Sequence, residues 1–247
     1  MRYLVLTDIH ANVEALDACL ADASRRGYDA ALVLGDVVGY GADPNAVVEK
    51  IIALAPAALV RGNHDKVAAG LEGADGFNAV AKAAALWTLD TLTSGHRDWL
   101  AALPTGPSLV DAAVEICHGS PYDEDAYLFD AVAAARALRA ARHPICLFGH
   151  THQPVVFEQS PKGTSSARLS ESGETRLRLR AGGKYLVNPG AVGQPRDGDP
   201  RAAYALLDTD RRTLDLIRVS YPVADAQEKI RKAGLPDALA LRLANGR

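Results

Sequence analysis

Short apolar runs that stop abruptly at polar residues recur along the chain as far as His152. Tyr3-Leu4-Val5-Leu6 gives way to Thr7-Asp8-Ile9-His10. Residues 30–34 give way to Gly35-Asp36, and residues 57–60 to Arg61-Gly62-Asn63-His64-Asp65-Lys66. Two amphipathic stretches lie between them. Val13, Leu16, Leu20 and Ala23 form one apolar stripe, closed by Gly27. Val47, Val48, Ile51 and Ile52 form another, behind Asp43 at a capping position and Pro44 at the first helical position. Continuous apolar runs mark strands buried on both faces, and their alternation with helices predicts parallel βαβ units. A longer helical pattern covers 77–93, with Phe77, Val80, Ala84 and Trp87 aligned. Strands are expected at 108–110 and 114–117, the second ending at His118-Gly119-Ser120. An alanine-rich helix at 130–141 leads to Ile145-Cys146-Leu147-Phe148 and then Gly149-His150-Thr151-His152.

From Val155 the texture changes to strands and turns. Arg176-Leu177-Arg178-Leu179-Arg180 alternates strictly, as a half-exposed strand does. Residues 185–187, 203–207 and 214–219 continue the sheet, and 224–233 and the segment after Pro236 read as helices. Residues 160–173, rich in Ser, Gly and Thr, read as a loop. There is no internal repeat and no linker-like boundary. Motifs from Asp8 to His152 point to one site, so residues 1–247 are expected to form a single domain.

Composition narrows the class. A chain of 247 residues with 48% hydrophobic and 23% charged residues is expected to be a globular protein with a substantial core. A formal net charge of -3 leaves no electrostatic footprint for duplex nucleic acid, and a nuclease would need a basic groove that this balance does not supply. Cys19, Cys117 and Cys146 have neither disulfide-framework nor metal-site spacing, and fit core positions in a reducing cytoplasm. The N-terminus enters a strand at once, without a signal-peptide pattern, and no apolar run approaches the ~20 residues of a membrane span. The expected setting is the cytoplasm, away from membranes.

The polar strand ends carry the chemistry. Of seven histidines, only His96 and His143, expected at the surface, lie away from such ends. In open α/β sheets, sites form outside the carboxyl ends of the strands. Carboxylate, imidazole and amide oxygen donors without a thiolate suit Mn²⁺ foremost, or Fe, Zn²⁺, Co²⁺ or Ni²⁺. The donors suffice for two divalent ions, with Asp36 placed by position to bridge them. Two ions can together hold a hydroxide and clamp the attacking and leaving oxygens of a phosphoryl displacement.

Asp8-Ile-His10, Gly35-Asp36, Gly62-Asn-His-Asp65, His118 and Gly149-His-Thr-His152, in this order, resemble the motifs of the calcineurin-like metallophosphoesterase superfamily. Asn188-Pro-Gly-Ala-Val-Gly-Gln-Pro-Arg196 resembles a small bacterial and archaeal branch of it. The resemblance implies an α/β fold, a four-layer αββα sandwich of two mixed β-sheets flanked by helices. It implies that Asp8, His10, Asp36 and His152 bind a first metal, and Asp36, Asn63, His118 and His150 a second. His64 resembles the family's histidine that binds no metal and protonates the leaving oxygen. The implied activity is a phosphoesterase acting on a small phosphorylated or nucleotide substrate, a phosphodiester or an anhydride such as a dinucleoside polyphosphate. A phosphomonoesterase or a non-catalytic metal-binding scaffold is the alternative.

One departure bears on substrate. Protein phosphatases of the superfamily follow Gly-Asp with two residues and then Asp-Arg, whereas this chain reads Gly35-Asp36-Val-Val-Gly39-Tyr40. The aspartate that would orient His64 and the arginine that would grip phosphate are both missing there, which disfavours a phosphoprotein substrate. Asp65 is the nearest carboxylate in sequence for the first role. Arg196 can reach a phosphate or sit in a turn held by Asp197 and Asp199. Tyr40 can stack on a base or line the cleft, or else pack in the core or its loop. The Arg176-Arg178-Arg180 row is expected to protect an edge strand rather than contact an anion or a second subunit of a homo-oligomer.

Overall fold

In the computed structural model, which describes residues 1–160, 163–168 and 173–247, the first apolar run becomes β1 (Arg2–Leu6), near the middle of a sheet. Tyr3 and Val5 face a second sheet while Leu4 and Leu6 face helices, so the run is apolar throughout because both faces are covered. After it come α1 (Val13–Arg26), β2 (Ala30–Val33), α2 (Pro44–Leu54), β3 (Ala58–Leu59) and α3 (Asn63–Ala68). The helices α4 (Ala79–Thr91) and α5 (Ser94–Ala101) precede β4 (Ser108–Leu109) and β5 (Val114–Ile116). Next are α6 (Ala131–Ala140), β6 (Ile145–Leu147), β7 (Val155–Ser160), β8 (Gly163–Arg168), β9 (Glu174–Arg178) and β10 (Lys184–Asn188). The chain closes with β11 (Ala202–Asp208), β12 (Thr213–Val219), α7 (Val223–Lys232) and α8 (Asp237–Asn245).

The first sheet has the order β3-β2-β1-β11-β12-β9, parallel through β1, β2 and β3 and antiparallel beyond. The second has the order β4-β5-β6-β10-β7-β8, with β5, β6 and β10 parallel. Val5, Leu32, Leu34, Ile116, Leu147, Val187 and Leu216 fill the space between the sheets. Helices α1, α2, α7 and α8 cover the outer face of the first sheet, with Leu16, Ile51, Ile230 and Leu239 among the residues packed there. Helix α6 covers the second, setting Ala134, Ala137 and Leu138 against Cys146, Phe148 and Phe157. The layers therefore run helix, sheet, sheet, helix. Among the described residues no helix is long and apolar enough to cross a membrane.

Several expectations change. The 160–173 stretch contributes β8, which pairs antiparallel with β7; residues 161–162 and 169–172 lie outside the described residues. Helix α4 covers 79–91 of the expected 77–93 stretch, and an unexpected second helix, α5, follows it, capped by the Thr93 side chain accepting from the His96 N–H. The polar run at 63–68 forms the short helix α3 rather than a turn. Asp43 sits at the N-cap of α2 but makes no capping bond, because its carboxylate accepts from Lys229 Nζ at 2.9 Å. His96 and His143 are partly buried rather than surface residues; His96 bonds Asn45, and His143 bonds the Ala112 carbonyl. All three cysteines are free and buried, with Cys117 and Cys146 Sγ 3.7 Å apart across neighbouring strands. The arginine row lies on an edge strand, β9, where Arg176 pairs with Asp215, while Arg180 just beyond pairs with Glu158.

Candidate metal centre

The parallel strands of both sheets deliver their polar ends to one place. Asp8 and His10 follow β1, Asp36 follows β2 and Asn63 follows β3; His118 follows β5, and His150 and His152 follow β6. The turns are tight enough that Asp8, His10, Asp36, His150 and His152 all adopt left-handed backbone, with φ between 50 and 67°. Non-glycine residues pay on the order of 1–3 kcal/mol for such conformations. Second contacts hold them there. Asp8 Oδ1 and Oδ2 accept from the His150 N–H, each at 3.1 Å, and Thr7 Oγ1 donates to Asp8 Oδ2. Asn188 donates to the Gly149 carbonyl and to Thr151 Oγ1, pinning the turn that carries both later histidines.

Four imidazoles are fixed in tautomer by carbonyl oxygens, which can only accept. His10 Nδ1 donates to Val38 O at 3.1 Å, His152 Nδ1 to Gln194 O at 2.6 Å and His118 Nδ1 to Leu34 O at 2.8 Å. His150 donates through Nε2, to Asp125 O at 3.1 Å. The nitrogens left over face one another, His10 Nε2 to His152 Nε2 at 3.1 Å and His118 Nε2 to His150 Nδ1 at 3.1 Å. In neutral rings both members of each pair are lone pairs, which repel unless a cation or a proton lies between them. The rest of the donor set closes around them. His152 Nε2 is 3.4 Å from Asp8 Oδ1, and His118 Nε2 is 3.3 Å from Asn63 Oδ1. Asp36 Oδ2 lies 3.5 Å from His10 Nε2 and 3.4 Å from His118 Nε2, so one oxygen serves both groups. Donors each about 2.0–2.2 Å from a shared ion stand about 3.0–3.4 Å apart, which matches these spacings. The donor set fits two cations, and every residue in it except Asn63 is at least 96% buried.

Electrostatics show what a cation would displace. Burial opposes charge on His118, but Asp36 and then Asp8 outweigh it and raise the ring to about 10. Burial raises Asp8 to about 7, against the pull of His118. Burial also opposes ionisation of Asp36, yet His118, His64 and His10 hold it well below the usual carboxylate range. His10 and His152 are held neutral by burial, and burial takes His150 down to about 3. Below pH 10 a cation must therefore displace a proton from His118, and below pH 7 a second from Asp8. Apparent affinity for an ion held by His118 should fall about tenfold per pH unit below 10, and that for an ion held by Asp8 about tenfold per unit below 7. Titrating Mn²⁺ at a series of pH values measures that slope; a flat profile would contradict it.

His64 stands beside this set without joining it. Its ring is 5.0 Å from His10, 4.3 Å from Tyr40 and 4.6 Å from Phe77, and burial lowers it to about 4. His64 Nδ1 is buried and, among the described residues, has no hydrogen-bond partner. Asp65 does not orient it, because Asp65 Oδ1 accepts from the Val38 N–H and Oδ2 from the Gly62 N–H, closing the first turn of α3. Backbone fills the place of an orienting carboxylate. A Cβ on Gly39 would lie 2.5 Å from His64 Nδ1, and φ there is +90°. Gly39→Ala should therefore swing the ring and lower kcat by about a hundredfold with bound metal unchanged, as elemental analysis beside kinetics will show.

Arg196 reaches the same centre from the loop after β10. Its guanidinium is 5.4 Å above the Tyr40 ring and is held by Gln194 Oε1 at 2.9 Å; among the described residues it has no acidic partner. The expected turn also exists, since Arg218 pairs with Asp197 and Arg201 with Asp199. Tyr40 is 7% exposed and walls the site rather than offering a stacking face. The sequence reading passed over Gln194, although it lies two residues from Arg196. It also passed over Tyr127, whose ring stacks on His150 at 3.8 Å. The only hint of Tyr127 was a second aromatic, Phe129, two residues on.

Comparison with known proteins agrees with this architecture. The sequence profile of the calcineurin-like phosphoesterase superfamily domain matches residues 1–212. The chain belongs to that superfamily and is a metal-dependent phosphoesterase. It is 39% identical to a metallophosphoesterase from Sphaerobacter thermophilus, covering 100% of both chains at a TM-score of 0.89. An uncharacterized protein of Methanocaldococcus jannaschii is 37% identical across 98% of this chain and 97% of its own. A hypothetical protein from Pyrococcus horikoshii OT3, 22% identical, shares the fold at a TM-score of 0.79 over 100% of this chain and 98% of its own.

Proposed function

We propose that Asp8, His10, Asp36 and His152 hold one divalent ion and Asp36, Asn63, His118 and His150 a second, manganese first among Mn, Fe, Zn, Co and Ni. On this reading the protein hydrolyses a phosphodiester or a nucleotide-type phosphoanhydride, such as a dinucleoside polyphosphate. The observation that carries it is the two pairs of facing imidazole nitrogens joined by Asp36 Oδ2. Two divalent ions bound there supply an acidified water and neutralise charge building on phosphorus.

The chain's own groups complete the displacement, in which one P–O bond to water forms, one to the leaving group breaks, and the leaving oxygen departs with a proton. His64 donates that proton as an imidazolium, from a ring held by Tyr40 and Phe77; burial disfavours that charge in the free protein, and the anionic phosphoester in the complex favours it. Arg196 grips a non-bridging phosphate oxygen, supplying the cation missing at the Tyr40 position. Gln194 steadies Arg196 and orients His152 through its carbonyl. Three free buried thiols fit work in a reducing cytoplasm.

The test is a panel of aryl diesters including bis(p-nitrophenyl) phosphate, aryl monoesters and dinucleoside polyphosphates, assayed with the Mn²⁺-loaded protein. Preferential cleavage of diesters or anhydrides is expected. A strong monoester preference would overturn the substrate assignment, and no turnover with two ions bound would favour a metal-stabilised scaffold.

A further inference from the structure

At the other end of the strands lies a second cavity, of about 440 Å³, that the phosphoesterase reading leaves unused. The proposed metal ligands follow the carboxyl end of β6, whereas this cavity sits at the amino ends of β6 and β10, beside Ile145 and Lys184. Along β10, Lys184 at the cavity and Asn188 at the metal-site turn are separated by about 13 Å, at a strand's rise of ~3.3 Å per residue. Ile145, Leu179 and Tyr185, buried members of the packing between the sheets, give it an apolar floor. Its walls are pinned. On one side buried Glu115 accepts from the Arg142 N–H at 2.7 Å and the His143 N–H at 3.3 Å. On the other, Tyr185 Oη accepts from the Arg180 N–H at 2.7 Å, and the Leu179 N–H donates to the Arg212 carbonyl at 2.9 Å.

Charge says what belongs there. Arg142, Arg180, Lys184 and Arg212 line the cavity, and among the described residues no carboxylate lines it. Glu158 pairs with Arg180 at 2.7 Å and neutralises one of the four. Lys184 Nζ donates to the Ala141 carbonyl, which leaves its charge uncancelled. Arg142 and Arg212 have no acidic partner among the described residues. These cations gather in a chain whose formal net charge is -3, and like charges around one hollow repel until an anion enters it. The volume is that of a small-molecule site. A carboxylate would bring one negative charge, a phosphate monoester close to two, and a guanidinium fork matches phosphate oxygens in pairs. We infer that this cavity binds a small phosphorylated molecule, its phosphate held by Arg142, Lys184 and Arg212 and an apolar or aromatic body laid on Ile145, Leu179 and Tyr185. The site is separate from the metal centre, and the inference stands whether or not the proposed reaction does.

The test is calorimetric titration of the Mn²⁺-loaded protein with phenylphosphonate, which has no ester bond to cleave, at mildly alkaline pH where it carries two charges. Arg142→Gln combined with Arg212→Gln should weaken one binding event about tenfold or more, the loss expected of charge-assisted hydrogen bonds. Bound metal and cleavage of bis(p-nitrophenyl) phosphate without phosphonate should stay at wild-type levels, since neither arginine belongs to the proposed centre. Inhibition of that cleavage by phenylphosphonate, which reports binding at the centre, should be the same in variant and wild type. Arg142→Lys with Arg212→Lys restores the charge and should recover part of the loss. Benzoate should bind the cavity about tenfold more weakly than phenylphosphonate, and methylphosphonate about threefold more weakly. A titration unchanged by the glutamine substitutions would overturn the inference. A lysine variant as weak as the glutamine one would assign the loss to altered walls and overturn it too. Equal affinity for benzoate would remove the phosphate from the assignment, and equal affinity for methylphosphonate the apolar body. Dissociation of a dimer by the glutamine substitutions would assign the arginines to a contact between copies of the chain, against the inference.

Discussion

His64→Ala is expected to leave metal content unchanged and to lower kcat by about 10²–10⁴-fold, the usual share of a positioned proton donor. The two readouts separate because His64 is adjacent to the donor set without entering it: its Nδ1 is unbonded against Gly39, and its ring packs on Tyr40 and Phe77. Its backbone N–H donates to Asp36 Oδ1 at 2.9 Å, a bond that alanine preserves. The loss should therefore fall on kcat far more than on KM. It should also be smaller for esters with good leaving groups, such as p-nitrophenoxide, which need little help from a proton. With its pKa near 4, His64 cannot supply the acid limb of a pH–rate profile near neutrality. Any such limb should follow metal loss and persist in the variant. Retained turnover would remove His64 from the mechanism.

Asp36→Asn is expected to have the larger effect, reducing bound metal from two ions to at most one and lowering kcat/KM by about 10³-fold or more. A metal centre supplies several kcal/mol of charge stabilisation, and each 1.36 kcal/mol is tenfold in rate. Asp36 Oδ2 lies within 3.5 Å of ring nitrogens from both groups, at His10 and His118. Asparagine keeps the shape but not the charge, and its amide nitrogen, if turned inward, presents hydrogens to lone pairs. The measurement is metal stoichiometry by elemental analysis alongside kinetics. Two ions retained at full affinity would show that Asp36 is not shared.

The strand ends were readable because buried parallel strands leave unbroken apolar runs, and a run that ends in Asp, Asn or His has few structural reasons to do so. The layered fold followed from the same alternation, together with the resemblance its motifs carry. What escaped the sequence did so for identifiable reasons. Strand β8 contains no apolar alternation, because it is an edge strand whose side chains are mostly exposed, so Ser and Gly in it resemble a loop. Helix α5 escaped because its eight residues carry only Trp99 and Leu100 as large apolar side chains, too few to show a period. The position of Asp65 beside His64 suggested a partner, but a residue at the start of a helix turns its side chain back to the N–H groups behind it, and Asp65 does so. Tyr127 and Phe129 lie in a stretch with no periodicity, where only the fold shows that one of them covers a histidine.

Each proposed set of ligands draws on both sheets. The first takes Asp8, His10 and Asp36 from the ends of β1 and β2 and His152 from beyond β6; the second takes Asp36 and Asn63 from one sheet, and His118 and His150 from the other. Ions held this way would be rivets as well as reagents, joining layers that otherwise meet mainly through the apolar packing between them. Metal scarcity would then cost the protein twice, in turnover and in the grip of one half of the sandwich on the other. Because anything that binds only the folded state stabilises it in proportion to the logarithm of its free concentration, the melting temperature of this chain should report on the metal supply around it.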